Sequence, residues 1–177
     1  KFFFFFLFTL VSFFVLAGQR LITKNASLSF YFEVLLEDIE AHNKNGLSVL
    51  DKSTGQMEFS VLMKGFQFQK ALMQEHFNEN YLESDKYQDA TFKGKVVGIQ
   101  TLKPGEVQLA NISGNLTIHG VTKPRDIQTT LKLNSDGSLL ATGRFELKIE
   151  EHKIKIPSLV FQNIAEIVEV SFELLLK

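Results

Sequence analysis

The chain has 177 residues, with 19 basic and 20 acidic side chains and a net charge of −1. A near-neutral chain offers no broad basic field to attract nucleic acid or anionic lipid. It contains no cysteine, which excludes disulfides and thiolate metal sites. About 160 residues follow the apolar start of the chain, and this length is enough for one domain with its own core.

The first 18 residues have the pattern of an export signal. Lys1 is the only charge before an apolar run, at residues 2–16, that holds eight of the chain's 18 phenylalanines. A basic start, an apolar core and then the small residues Ala17 and Gly18 follow the order of a secretory signal peptide. A membrane anchor is the alternative, but it needs roughly 20 apolar residues and the run is shorter. We expect a signal peptide at residues 1–18, cleaved near Ala17, and a domain at residues 19–177.

Alternation of apolar and polar residues dominates the rest of the chain and predicts half-buried β-strands. Leu28, Phe30, Phe32 and Val34 share one face of the first predicted strand. The other predicted strands are residues 48–50, 56–64, 91–99, 107–119, 127–133, 139–148 and 167–176. About eight strands of this kind indicate a sandwich or a barrel. We favour the barrel, because it closes edges that would otherwise pair with other chains.

Two segments depart from this alternation. Residues 69–82 are rich in helix formers and contain neither glycine nor proline, which predicts a short helix between strands. Its apolar stripe consists of Leu72, Met73, His76, Phe77 and Tyr81. Residues 37–47 contain Asn43-Lys44-Asn45-Gly46 and are predicted to form a loop with a turn.

The sequence offers no catalytic constellation. The histidines at 42, 76, 119 and 152 are scattered singly, without the spacing that places two metal ligands on one helical face. Glu75 and His76 are the best candidates for polar contact with a ligand, but adjacent helical residues point about 100° apart and are not a pre-aligned acid–base pair. We therefore predict a protein that is not an enzyme and needs no cofactor or metal.

The inward faces of the predicted strands are rich in phenylalanine, which suggests a ligand cavity. An eight-stranded barrel is just wide enough either to fill itself with side chains or to enclose one small ligand, and both alternatives stay open at this point. The residues predicted to line a cavity are Phe30, Phe32, Phe59, Val61, Phe66, Phe68, Leu72, His76, Phe77, Tyr81, Phe92, Leu116, Phe145 and Phe172.

Residues 112–124, with the sequence ISGNLTIHGVTKP, resemble the signature G-x-L-T-[IL]-x-G-V-T-[KR]-P of the YceI-like family. Residues 76–92 resemble its second hallmark, a helix followed by a strand entry of the KYPxATF type. The resemblance covers nearly all of the domain. It implies an all-β, eight-stranded antiparallel lipocalin-like barrel with a long apolar cavity, in a periplasmic or secreted protein that binds polyisoprenoids or other amphipathic lipids without catalysis.

The leading hypothesis is therefore a binding protein for an amphipathic lipid with a polyisoprenoid tail, in the periplasm or outside the cell. We expect no nucleic-acid partner and no stable membrane insertion after leader removal, and a homodimer is left open. One alternative is a barrel with a filled core that acts through its surface. An outer-membrane barrel is disfavoured, because Lys93, Lys95, Arg144 and Glu146 would give it charged outer faces.

Overall fold

The fold is a barrel of antiparallel strands. A computed structural model of the chain describes residues 20–32, 39–155 and 167–177. Within these ranges the strands are β1 Arg20–Phe32, β2 Ile39–Asp51, β3 Gln56–Leu62, β4 Gln67–Phe68, β5 Asp89–Val96, β6 Val107–Ile118, β7 Val121–Leu133, β8 Leu139–Lys148 and β9 Ile167–Leu176. One α-helix, α1 Ala71–His76, continues into a wider helical turn at Phe77–Tyr81. The predicted leader and Val34 lie outside the described residues, as does the side chain of Phe32.

Eight strands close on themselves. Their order around the barrel is β1, β9, β8, β7, β6, β5, β3 and β2, and β1 then pairs with β2 to complete the ring. Among the described residues, the two-residue strand β4 pairs only with β2, through Ala41 opposite Phe68 and His42 opposite Gln67. The predicted antiparallel barrel with one short helix between strands is confirmed.

The two-residue period of the sequence places side chains alternately inside and outside the barrel. In β3, Met57 and Val61 are buried, whereas Glu58 and Leu62 are exposed. The outer face carries ion pairs across neighbouring strands, as between Lys93 and Glu58, whose Nζ and Oε2 atoms are 3.4 Å apart. Exposed pairs of this kind contribute little to stability, so burial of the inner face holds the barrel together.

The predicted turn at residues 43–46 is wrong, because this segment lies inside β2. The pairing of β1 with β2 shifts register between Ala26 opposite Gly46 and Leu28 opposite Asn43, which marks a β-bulge. The Asn43 side chain accepts a hydrogen bond from the Asn45 amide and donates one to the Leu62 carbonyl. Turn-forming residues therefore make a local irregularity within a strand and do not reverse the chain.

The interior divides into two halves. The helical end of the barrel carries the connection from β3 to β5, which includes α1, and the turn between β6 and β7. The half away from this end holds a core of closely packed aliphatic residues, including Leu131, Leu139 and Leu174. A second apolar cluster, which includes Val61, Phe66 and Ile154, lies in the helical half. No helix in the described part of the chain is long and apolar enough to span a membrane.

Candidate functional site

The helical half of the barrel contains a partly open cavity of about 190 Å³. Its wall comes from the strands and from the segment that includes α1, and it is almost entirely aliphatic or aromatic. The lining residues are Leu28, Ser29, Phe30, Ile39, Phe59, Val61, Met63, Phe66, Phe68, Met73, His76, Phe77, Tyr81, Leu82, Ala90, Leu116, Ile118, Phe145, Leu147, Ile149, Ile154, Val168 and Val170. Such a wall favours an apolar occupant, since few groups could satisfy the hydrogen bonds of a polar one.

Four phenylalanines form one side of the cavity in a single mutually contacting cluster. The Phe77 ring, at the end of α1, lies 5.4 Å from Phe30 of β1, 5.0 Å from Phe68 of β4 and 5.8 Å from Phe66. Stacked, tilted and edge-on contacts of this kind stabilise by about 0.5–1.5 kcal/mol each beyond area burial. The cluster fixes the helical segment against the barrel, and it keeps apolar surface directed at the cavity.

His76 and Tyr81 are lining residues whose side chains carry polar atoms. Both are partly buried in the helical segment, and their ring centroids are 6.5 Å apart in an edge-on contact. Burial raises the pKa of the Tyr81 hydroxyl, so this group is neutral at ordinary pH and acts as a hydrogen-bonding group. Glu75 is exposed and does not line the cavity.

A group of charged and histidine side chains beside the cavity, one of them in the segment that resembles the family signature, forms what we call the latch. We use this term for His119, Arg125, Glu83, Glu151 and His152. The Nε2 atom of His119 lies 2.9 Å from Glu83 Oε2, and its Nδ1 atom lies 3.2 Å from the carbonyl oxygen of His152. Arg125 pairs with Glu151, and this hydrogen bond lowers the pKa of the Glu151 carboxyl.

The latch lies where β7 and β8 are not hydrogen-bonded to each other. β7 pairs with β8 only from Thr129 to Leu133, and the described residues show no pairing between the two strands toward the helical end. There the segment Ile149–His152 lies against β7 instead, and the fully buried His152 donates from Nδ1 to the Val121 carbonyl 3.0 Å away. Ile149 and Ile154 of this segment reach the cavity wall. The latch therefore holds part of that wall in place.

Ten of the fourteen residues predicted to line a cavity do line this one. They are Phe30, Phe59, Val61, Phe66, Phe68, His76, Phe77, Tyr81, Leu116 and Phe145. Contact of these side chains with a ligand stays a prediction.

The structure places three of the other predicted residues elsewhere. Leu72 is 61% exposed, because it lies on the outer side of the short helix. Phe92 is buried in the packed core, and Phe172 packs against that core, so neither lines the cavity. For Phe32 only the backbone, opposite Ile39, is described.

Several residues that line the cavity were not predicted from the sequence. Leu147, Ile149, Ile154 and Val168 come from the end of β8, the segment that follows it and the start of β9. The sequence shows the apolar alternation of these residues, but it gives no sign that β7 and β8 separate at the helical end. No group of three or more acidic or histidine side chains in the described ranges is arranged to hold a metal ion.

The sequence and the fold were compared with those of known proteins. A family model of the YceI-like domain matches residues 23–176, almost the whole of the described barrel. The chain belongs to the YceI-like family. No curated protein sequence matches the chain.

Solved structures share the YceI-like barrel at low sequence identity. A polyisoprenoid-binding domain from Saccharophagus degradans, implicated in plant cell wall breakdown, superposes with a TM-score of 0.79 at 15% identity, over 89% of this chain and 97% of that one. BcnA from Burkholderia cenocepacia has a TM-score of 0.70 at 15% identity, over 86% and 96% of the two chains. The YceI protein of Campylobacter jejuni has a TM-score of 0.58 at 14% identity, over 81% and 88%. At these identities the likeness establishes the YceI-like fold alone.

Proposed function

We propose that this chain is a non-catalytic carrier that binds the apolar tail of an amphipathic lipid, of the isoprenoid class, inside the cavity. The observation that carries the proposal is the cavity itself, formed between the strands and the helical segment and lined almost wholly by aliphatic and aromatic side chains. A barrel with a completely filled core would leave no such space. The Saccharophagus degradans relative, described as a polyisoprenoid-binding domain, supports the isoprenoid class.

The energetics of such a site rest on burial. Each methylene group moved from water into the cavity contributes about 0.8 kcal/mol, so a short apolar tail is held without any strong polar contact. The polar atoms of His76 and Tyr81, on the helical segment, would orient the headgroup. This division between an apolar wall and a few polar groups is typical of sites for amphipathic ligands.

The direct test is extraction of bound lipid. The protein is purified without detergent from the envelope of its host, extracted with organic solvent, and the extract is analysed by mass spectrometry. We expect an isoprenoid amphiphile close to equimolar with the protein. Latch residues and outer-face charges do not line the cavity, so Lys93→Ala serves as a control that should carry the same load. Extracts without any lipid would refute the carrier function and favour a barrel that acts through its surface.

We also propose that the protein works after export, in the periplasm or outside the cell. The basic start and apolar run of residues 1–18 motivate this proposal. N-terminal sequencing of protein recovered from the cell envelope should find a first residue at Gly18 or Gln19. Recovery of the intact leader from a membrane pellet would refute it.

A further inference from the structure

We propose that Met73 is an oxidation site through which hydrogen peroxide lowers the affinity of the protein for its lipid. The proposal rests on the proposed function and adds a means of regulating the same site. It joins two observations about one side chain: Met73 lines the cavity, and the residue is only partly buried.

The sulfur of this chain is confined to three methionines, because the chain contains no cysteine. Met57 and Met63 are each 5% exposed, whereas Met73 is only partly buried. Met57 belongs to the packed core, and Met63 to the second apolar cluster. Since susceptibility to oxidation follows exposure of the sulfur, Met73 should be the first of the three to react.

Met73 lies on the face of α1 that is directed at the cavity. The same face carries His76 and Phe77, three and four residues further along the helical segment, and all three residues line the cavity. Leu72, by contrast, is 61% exposed on the outer side of the helix. Met73 is therefore open to an oxidant dissolved in water, and it is also part of the surface that a bound tail covers.

The reaction needs only the sulfur and the peroxide. The thioether sulfur attacks one peroxide oxygen, an S–O bond forms while the O–O bond breaks, and the proton of the attacked oxygen passes to the departing hydroxide to give water. The sulfur loses two electrons and the peroxide gains them. The product, methionine sulfoxide, is polar, and dedicated reductases return it to methionine, so the change is reversible.

Oxidation places a strong hydrogen-bond acceptor in an apolar wall. In the free protein the sulfoxide oxygen is hydrated, because the residue is partly exposed. A tail that covers Met73 must remove this water, and among the described lining residues only Ser29, His76 and Tyr81 carry a hydroxyl group or a ring nitrogen. Incomplete replacement of the hydrogen bond to water corresponds to about a tenfold fall in affinity.

The first measurement identifies the methionine that reacts. The protein is treated with hydrogen peroxide under native conditions, and the sulfoxide content of each methionine is followed by mass spectrometry of its peptides. We expect Met73 to react before Met63 and before Met57, which is the internal control in the packed core. Saturation with geraniol, a short isoprenoid alcohol, should slow the oxidation of Met73 and leave that of Met57 unchanged, because a bound tail covers only Met73.

The second measurement gives the effect on binding. Calorimetric titration with geraniol is carried out before and after peroxide, each protein is compared with itself, and thermal unfolding checks that the barrel remains folded. The unmodified protein should bind about tenfold more weakly after oxidation, and methionine sulfoxide reductase should restore its affinity. Met73→Leu replaces the thioether by a hydrocarbon of similar volume, so peroxide should not change its affinity, whatever its value before treatment. Met57→Leu, the matched control, should lose affinity on oxidation as the unmodified protein does.

The outcomes separate this proposal from the carrier function. Oxidation of Met73 with an unchanged affinity for geraniol would overturn the proposal and leave the carrier function intact. Failure of Met73 to react before Met57 and Met63 would also overturn it, as would an equal loss of affinity in Met73→Leu after peroxide. Failure of geraniol to bind the untreated, unmodified protein would overturn the carrier function, and this proposal with it.

Discussion

Substitution of Val61 by tryptophan should abolish lipid binding by filling the cavity. Val61 is 3% exposed, lies on β3 and contributes to the cavity wall. Its partner across the sheet is Ala90, whose small side chain leaves an indole ring free to extend over it toward the cavity. The next residue, Leu62, is 63% exposed on the outer face of the same strand. Leu62→Trp is therefore the matched control.

The size of the effect follows from the volumes. A valine side chain has three heavy atoms and a tryptophan side chain has ten, so the variant adds seven. The cavity holds about eight carbons, by comparison with a benzene-binding cavity of known volume, so the indole occupies most of it. A ligand that loses seven buried carbons loses roughly 5 kcal/mol, or more than a thousandfold in affinity. Strain from overpacking should also lower stability by about 1–3 kcal/mol.

The assay combines two measurements on each variant. Calorimetric titration with geraniol gives the affinity, and thermal unfolding shows that the barrel remains folded. We expect no measurable binding to Val61→Trp and nearly unchanged binding to Leu62→Trp. A folded Val61→Trp variant that binds geraniol like the unmodified protein would show that the ligand is not held in this cavity.

Three further predictions test the polar contact, the close packing between β5 and β6, and the latch. His76→Ala should weaken binding of a headgroup-bearing lipid by about tenfold, because one hydrogen bond is lost, and should leave the melting temperature unchanged. The control Glu75→Ala should have no effect on binding, because Glu75 is exposed and does not line the cavity. Equal binding by the two variants would leave His76 a packing residue. Gly114→Ala should lower the melting temperature strongly, because the new Cβ would lie 2.4 Å from the Lys93 carbonyl oxygen and 2.7 Å from the Phe92 ring, whereas Ser113→Ala on the exposed face should not. Burial lowers the pKa of His152 below its ordinary value of 6.5, so the unfolded chain binds a proton there before the folded one does, and stability should fall as the pH decreases below 6.5. His152→Asn keeps a donor toward the Val121 carbonyl but cannot titrate. The contribution of His152 to the change of unfolding free energy with pH, at most about 1.4 kcal/mol per pH unit, should therefore disappear in this variant. If the unfolding free energy of the variant changes with pH as steeply as before, the pH dependence comes from other groups.

The sequence by itself determined the class of fold, because strand formation on a half-buried surface depends on a local period of two. The alternation of Met57, Phe59 and Val61 with exposed neighbours is readable without any knowledge of what lies opposite. The same period placed most of the cavity wall on the inner face. The signature at residues 112–124 then identified the family, which the match over residues 23–176 confirms.

Local signals were misleading where a side chain found its partner elsewhere in the chain. Residues 43–46 have the composition of a turn, but Asn43 donates to the Leu62 carbonyl on a neighbouring segment, and the chain continues as a bulged strand. Leu72 belongs to the apolar stripe of the helical segment by spacing. The helix is short, however, and it contacts the barrel through the side that carries Phe77.

Only the tertiary structure decided where the barrel is empty and where it is filled. Phe59 and Phe92 are identical in type, both point inward, and they lie opposite each other in the sheet. Phe59 lines the cavity and Phe92 belongs to the packed core, because the Phe92 ring lies over two glycines that face each other on β5 and β6. Gly114 is distant in sequence from the ring that it accommodates, so it leaves no periodic signal. The volume available to a ligand is therefore a property of the assembled barrel, since it depends on how rings from different strands pack across it.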